Sequence, residues 1–86
     1  MLLRELAKRI PASERSELLR FNRIANARQV AGNYDLQALI LVWNTYIDPH
    51  DVINCPLCYK RILDNFRALE PILVEMEKDD SLLTSI

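Results

Sequence analysis

Glycine occurs once in the 86 residues, as Gly32, histidine once, as His50, and cysteine twice, as Cys55 and Cys58. Each scarcity excludes something. A single glycine cannot build a phosphate-cradling loop, because such loops need several positions without a Cβ so that backbone N–H groups can approach the ligand. The lone histidine leaves no serine–histidine–acid set with local support, and the sequence predicts no enzyme. Two cysteines are half of a four-thiolate zinc site. No apolar run reaches the ~18 residues of a membrane span, and charges are spread through the opening MLLRELAKRI, so neither a span nor a secretory h-region is predicted. The expectation is a soluble, cytoplasmic protein whose thiols stay reduced. No segment alternates at period two, which argues against strands.

What the chain has in quantity is apolar surface. Hydrophobic residues make up 50% of it, a large share for a length that supports one domain, residues 1–86. A domain of this size buries only about 60–65% of its unfolded surface, so a metal or an oligomer is a common source of extra stability. Charge is divided unevenly. Residues 1–33 carry seven Lys/Arg against three Glu, whereas residues 34–86 carry four Lys/Arg against nine Asp/Glu. Such a split can mark an anion-binding end or ends of neighbouring molecules that attract one another.

The periodicity predicts an all-α chain, a small bundle of about four helices. A short amphipathic helix over 2–10 stops before Pro11. A basic helix over 14–31 starts with Ser13 as its cap and ends at Gly32-Asn33 as a left-handed stop. A buried helix over 36–47, capped by Asp35, carries Leu36, Leu39, Ile40, Trp43 and Ile47 on one stripe; Leu41 and Val42 face elsewhere. A helix apolar on more than one side packs between neighbours, which puts Trp43 near the centre of the fold.

The most ordered pattern follows. Tyr59, Ile62, Phe66, Leu69, Leu73 and Met76 recur at spacings of three and four, a heptad seam on a long helix over 56–78. Pro71 falls inside it. Because the seam keeps phase across Pro71, one kinked helix is expected rather than two. The seam looks too long for one short chain to cover, so it reads as an interaction surface for a second copy or a larger partner. The tail 79–86 has no periodic face, though Leu82, Leu83 and Ile86 could dock on that partner.

The two cysteines sit at the start of the seam helix, in NCPLCYKR. Asn54 or Cys55 takes the N-cap and Pro56 the first helical position, where a missing N–H costs nothing. Both sulfurs then lie on the first turn, where the helix dipole, Lys60 and Arg61 favour thiolates. Thiolates bind zinc and also attack disulfides, so the spacing serves either chemistry; a pair of packed core cysteines is the third reading. Zinc could be completed within the chain by His50 and a carboxylate, Asp48 or Asp51, or between chains by two cysteine pairs.

CPLC ahead of a heptad helix resembles the zinc hook of the coiled-coil ATPases of DNA double-strand-break repair, which implies that Cys55 and Cys58 bind zinc between subunits. The likeness covers the CPLC motif alone; the long arms that flank a hook are not here. C-P-x-C at a helix start also resembles the centre of thioredoxin-like enzymes, whose fold requires strands, and flavin-linked sulfhydryl oxidases place C-x-x-C in a helical bundle.

A further candidate is the basic helix. Arg15, Arg20, Arg23 and Arg28, beside Asn22, Asn26 and Gln29, are side chains that contact phosphates and base edges. The leading expectation is a non-enzymatic structural or regulatory interaction module that self-associates or docks on a larger partner, with or without zinc. A nucleic-acid-binding regulator is the alternative, and a small thiol oxidoreductase the third.

Overall fold

Five α-helices and one π-helical turn make up the secondary structure of the computed structural model, which describes the backbone of residues 3–84 and the side chains of residues 3–79. They are α1 (Leu3–Arg9), α2 (Ala12–Arg20), α3 (Arg23–Asn26), α4 (Tyr34–Val42) and α5 (Pro56–Thr84), with the π-turn Trp43–Ile47 continuing α4. Among the described residues there is no strand, and no helix is long and apolar enough to cross a membrane.

α5 sets the shape. Its 29 residues at 1.5 Å per residue span ~43 Å, close to the 45 Å of the molecule's longest axis. The other helices pack along it: α1, α2, α3 and α4 all contact α5. The core is one cluster. Ile10, Ile24, Leu36 and Leu39 meet Ile62, Phe66, Leu69 and Leu73, all fully buried. Trp43 packs edge-on against Phe66, with ring centroids 6.1 Å apart and planes at 65°, a geometry that brings the positive ring edge to the negative face.

This burial corrects the reading of the seam. Ile62, Phe66, Leu69 and Leu73 are covered by the chain's own α1–α4, and Tyr59 and Met76 are half-buried against the same core. Four short helices wrapped on one long one hide a heptad edge without a second molecule. The seam is the core, not an exposed interaction surface. Its apolar faces also explain why α5 runs through Pro71 as one helix. The lost hydrogen bond costs about 3 kcal/mol, and burying Leu69 and Leu73 on either side returns about 1.5–3 kcal/mol each. The helix continues to Thr84 rather than stopping at 78. The side chains of Leu82 and Leu83, and all of Ile86, lie outside the described residues.

The predicted helix 14–31 is broken. α2 ends at Arg20 because Asn22 takes the left-handed conformation, φ 53° and ψ 38°, which asparagine tolerates better than other side chains. α3 follows for one turn and Ala27 is extended. Gly32 has no positive φ, so the left-handed stop lies ten residues before the one predicted. Two caps shift too. α2 begins at Ala12, so Ser13 lies within it, and no side chain caps its N-terminus. α4 is capped by Asn33, whose Oδ1 accepts from the Leu36 N–H at 2.8 Å, while Asp35 stands in the first turn.

Candidate functional site

The C-terminal end of α4 and the start of α5 are joined by the loop 48–55, and this loop is tied down at several points. The π-turn closes with the Asp48 N–H donating to the Trp43 carbonyl at 2.9 Å. Asn44 Nδ2 donates to the carbonyls of both Asp48 and Asp51, 2.9 Å each. Asp51 accepts from Trp43 Nε1 at 2.9 Å and from both terminal nitrogens of Arg61 at 2.9 Å. From the other side, Gln29 Nε2 donates to the Pro56 carbonyl at 2.8 Å. The start of α5 is therefore held by core, loop and the 27–33 turn together.

On this platform sits the dithiol. Cys55 occupies the N-cap position: the Tyr59 N–H donates to its carbonyl at 2.9 Å, the first bond of the helix. Its Sγ accepts from the Cys58 N–H at 3.3 Å, as an N-cap oxygen would. The two Sγ atoms are 2.6 Å apart, both cysteines are free, and both are half-exposed. The Cys58 thiol is pulled below its ordinary value, first by the hydrogen bond with Cys55, then by the backbone of Asn54 and Cys55 and the charge of Arg61; partial burial opposes the shift. Arg61 thus stands between Asp51 and Cys58 and acts on both.

His50 does not join this pair. It is exposed, its backbone N–H donating to Asp48 Oδ1 at 3.1 Å. Asp51, the other ligand candidate, is engaged by Arg61 and Trp43. Among the described residues, no group of three or more His, Cys, Asp or Glu side chains stands together in a way that could hold a metal ion. The intrachain set proposed from His50, Cys55 and Cys58 lacks its third member.

The four arginines of the basic segment do not form one surface. Arg15 is buried, and its Nη1 donates to the Ile10 carbonyl at the end of α1 at 2.6 Å. Arg23 bridges Glu17 at 3.3 Å and Asp35 at 3.2 Å and lies over the rings of Phe21 and Tyr34. Arg28 donates to the carbonyls of Ala25 and Ala27. Arg20 is exposed, over Phe21. The left-handed Asn22 turns the chain between Arg20 and Arg23, so spacing along one helix no longer decides which side chains share a face. A shallow groove between α2 and α4, lined by Leu18, Tyr34, Ala38 and Leu41, has Arg23 at its edge, already committed to its two carboxylates.

Sequence reasoning found the cysteines but not the residues that hold them. Asp51 was legible only as a ligand, and Gln29 only as a polar group on the basic helix. Asn44 carries no sequence signal, since its bonds depend on the π-turn. No protein-family model matches the chain, and neither a curated protein nor a solved structure matches it.

Proposed function

We propose that this chain acts through its Cys55–Cys58 dithiol as a small thiol oxidoreductase, the third of the expectations above, engaging partner proteins by reversible thiol–disulfide exchange. The observation that carries this reading is the contact of the two sulfurs, 2.6 Å apart, at the start of α5, with the Cys58 thiol lowered first by its hydrogen bond with Cys55. Among the described residues no group of three or more His, Cys, Asp or Glu side chains could hold a metal ion, which weighs against a zinc site completed within the chain.

The exchange balances as follows. One cysteine thiolate attacks a sulfur of a partner disulfide, forming a mixed disulfide and expelling the partner's other sulfur as a thiolate, which takes up a proton. The second cysteine, deprotonated in turn, attacks the first cysteine's sulfur and releases the remaining partner thiol. Two electrons and two protons pass from the dithiol to the partner. Arg61 stabilises the anionic form of Cys58, and the rigid first turn keeps the second sulfur within reach.

Single-cysteine variants test this. Cys55→Ser or Cys58→Ser, mixed with a disulfide-bonded protein, is expected to stop at a mixed disulfide that persists on a non-reducing gel. The unmodified chain is expected to resolve it and leave two partner thiols. Absence of a trapped species with both variants contradicts the proposal.

A further inference from the structure

Arg61 serves two partners at once. It stands three residues after Cys58 on α5, a spacing that puts both side chains on one face of the helix, and its charge favours the Cys58 thiolate. Both of its terminal nitrogens also donate to Asp51, at 2.9 Å each. The Asp51 side chain is only 16% exposed and that of Arg61 45%, so solvent screens the pair less than it screens a surface bridge. Other cations on the segments that meet here are engaged elsewhere. Lys60 pairs with Asp64 at 2.8 Å, and Arg28 donates to the carbonyls of Ala25 and Ala27.

We infer that Asp51 is a positioning residue for the dithiol: it holds the Arg61 guanidinium on its own carboxylate and so limits how much of that charge supports the Cys58 sulfur, keeping the pair less reactive than Arg61 alone would make it. The inference rests on the exchange reading above for its consequence, since the thiolate is the attacking species, and it adds the residue that regulates it. A cation shared between two anions favours each less than it favours either alone. The helix backbone already carries Arg61 to the face of Cys58, so Asp51 is not needed to bring it there. What Asp51 contributes is a negative charge on the same guanidinium, fixed in place because its carboxylate also accepts the Trp43 indole N–H at 2.9 Å.

The test compares alkylation of Cys58 by iodoacetamide, an uncharged probe, in the reduced chain at pH 7, with the modified cysteine located by fragment-ion mass spectrometry. Asp51→Asn removes the charge and keeps an oxygen for the Trp43 indole N–H. It is expected to speed alkylation about two- to threefold, and Arg61→Gln to slow it by about the same factor. Combining the two is expected to give the rate of Arg61→Gln alone, and Asp51→Glu to keep the rate of the unmodified chain. Both single charge-removing variants break the same ion pair, so a merely structural role moves both rates in one direction, whereas charge sharing moves them apart. Trp43 fluorescence checks the fold of each variant, and Asp51→Ser, which removes the same charge, replaces Asp51→Asn if that protein does not fold. Alkylation that is slower or unchanged without the Asp51 charge, or a gain that persists when residue 61 is Gln, overturns the inference. Alkylation needs no disulfide partner, so failure of this comparison leaves the exchange reading standing, while failure of the mixed-disulfide trap overturns the exchange reading and not the charge sharing.

Discussion

Arg61 donates from both terminal nitrogens to the two carboxylate oxygens of Asp51, 2.9 Å each, across ten positions of chain. The same carboxylate accepts the Trp43 indole N–H at 2.9 Å. One acidic side chain therefore connects the core, the loop ahead of the dithiol and the helix that carries it.

Removing that connection has a pH signature. Asp51 is held below the ordinary carboxyl range chiefly by its hydrogen bonds with Arg61, with Trp43 adding to the effect and partial burial opposing it. The folded state thus binds this proton more weakly than the unfolded chain. The stabilisation is complete above the unfolded carboxyl value of about 4 and is lost as pH falls through the lower folded value. Asp51→Ala is expected to cost about 1–2 kcal/mol at pH 7, read from urea unfolding followed by Trp43 fluorescence. The gap from the unmodified protein is expected to narrow below about pH 4. A gap that is the same at pH 7 and at pH 3 contradicts this role.

The Cys58 thiol should titrate early. Alkylation of Cys58 in the Cys55-containing protein is expected to rise with pH around a midpoint below the ~8.5 of an ordinary thiol. The largest cause is the hydrogen bond from the neighbouring Cys55, so Cys55→Ala, which has no donor, moves the midpoint up most, and Arg61→Gln moves it up less. A midpoint at the ordinary value in all three proteins removes the electrostatic argument for exchange.

The long helix supports its own chain. Phe66→Ala and Leu69→Ala delete fully buried side chains and are each expected to cost about 2–5 kcal/mol, enough to unfold much of a domain this small. The unfolding midpoint of the unmodified protein is expected not to depend on protein concentration, because the seam is covered within one chain. A midpoint that rises with concentration would restore the seam as a contact between copies.

The helical class and the core were legible because they depend on period. Six apolar positions at spacings of three and four predict the buried edge of α5, and they do so across Pro71. The burial of Trp43 followed from a helix apolar on several sides. What covers the seam was not legible, because period gives a face and not its neighbour. Helix ends failed where conformation, not composition, decides. Asn22 and Gly32 are both residues that tolerate the left-handed region, and only packing selects Asn22. Once the chain turns there, Arg15 and Arg23 are used within the fold, one on a helix-end carbonyl and one on two carboxylates. At the site, C-P-x-C announced itself through spacing, whereas Gln29, Asn44 and Asp51 act through contacts between segments distant in sequence or across an irregular turn.

The most direct measurement is the thiol content of the purified chain equilibrated across glutathione redox buffers, quenched with an alkylating agent and read by intact mass, with metal content determined on the same samples. The account predicts that both thiols disappear together and return together, as a single chain lighter by two hydrogens, and that neither Cys55→Ser nor Cys58→Ser forms this species. Two thiols that remain open to alkylation under oxidising buffer, or a stoichiometric zinc ion retained by the reduced protein, would contradict it.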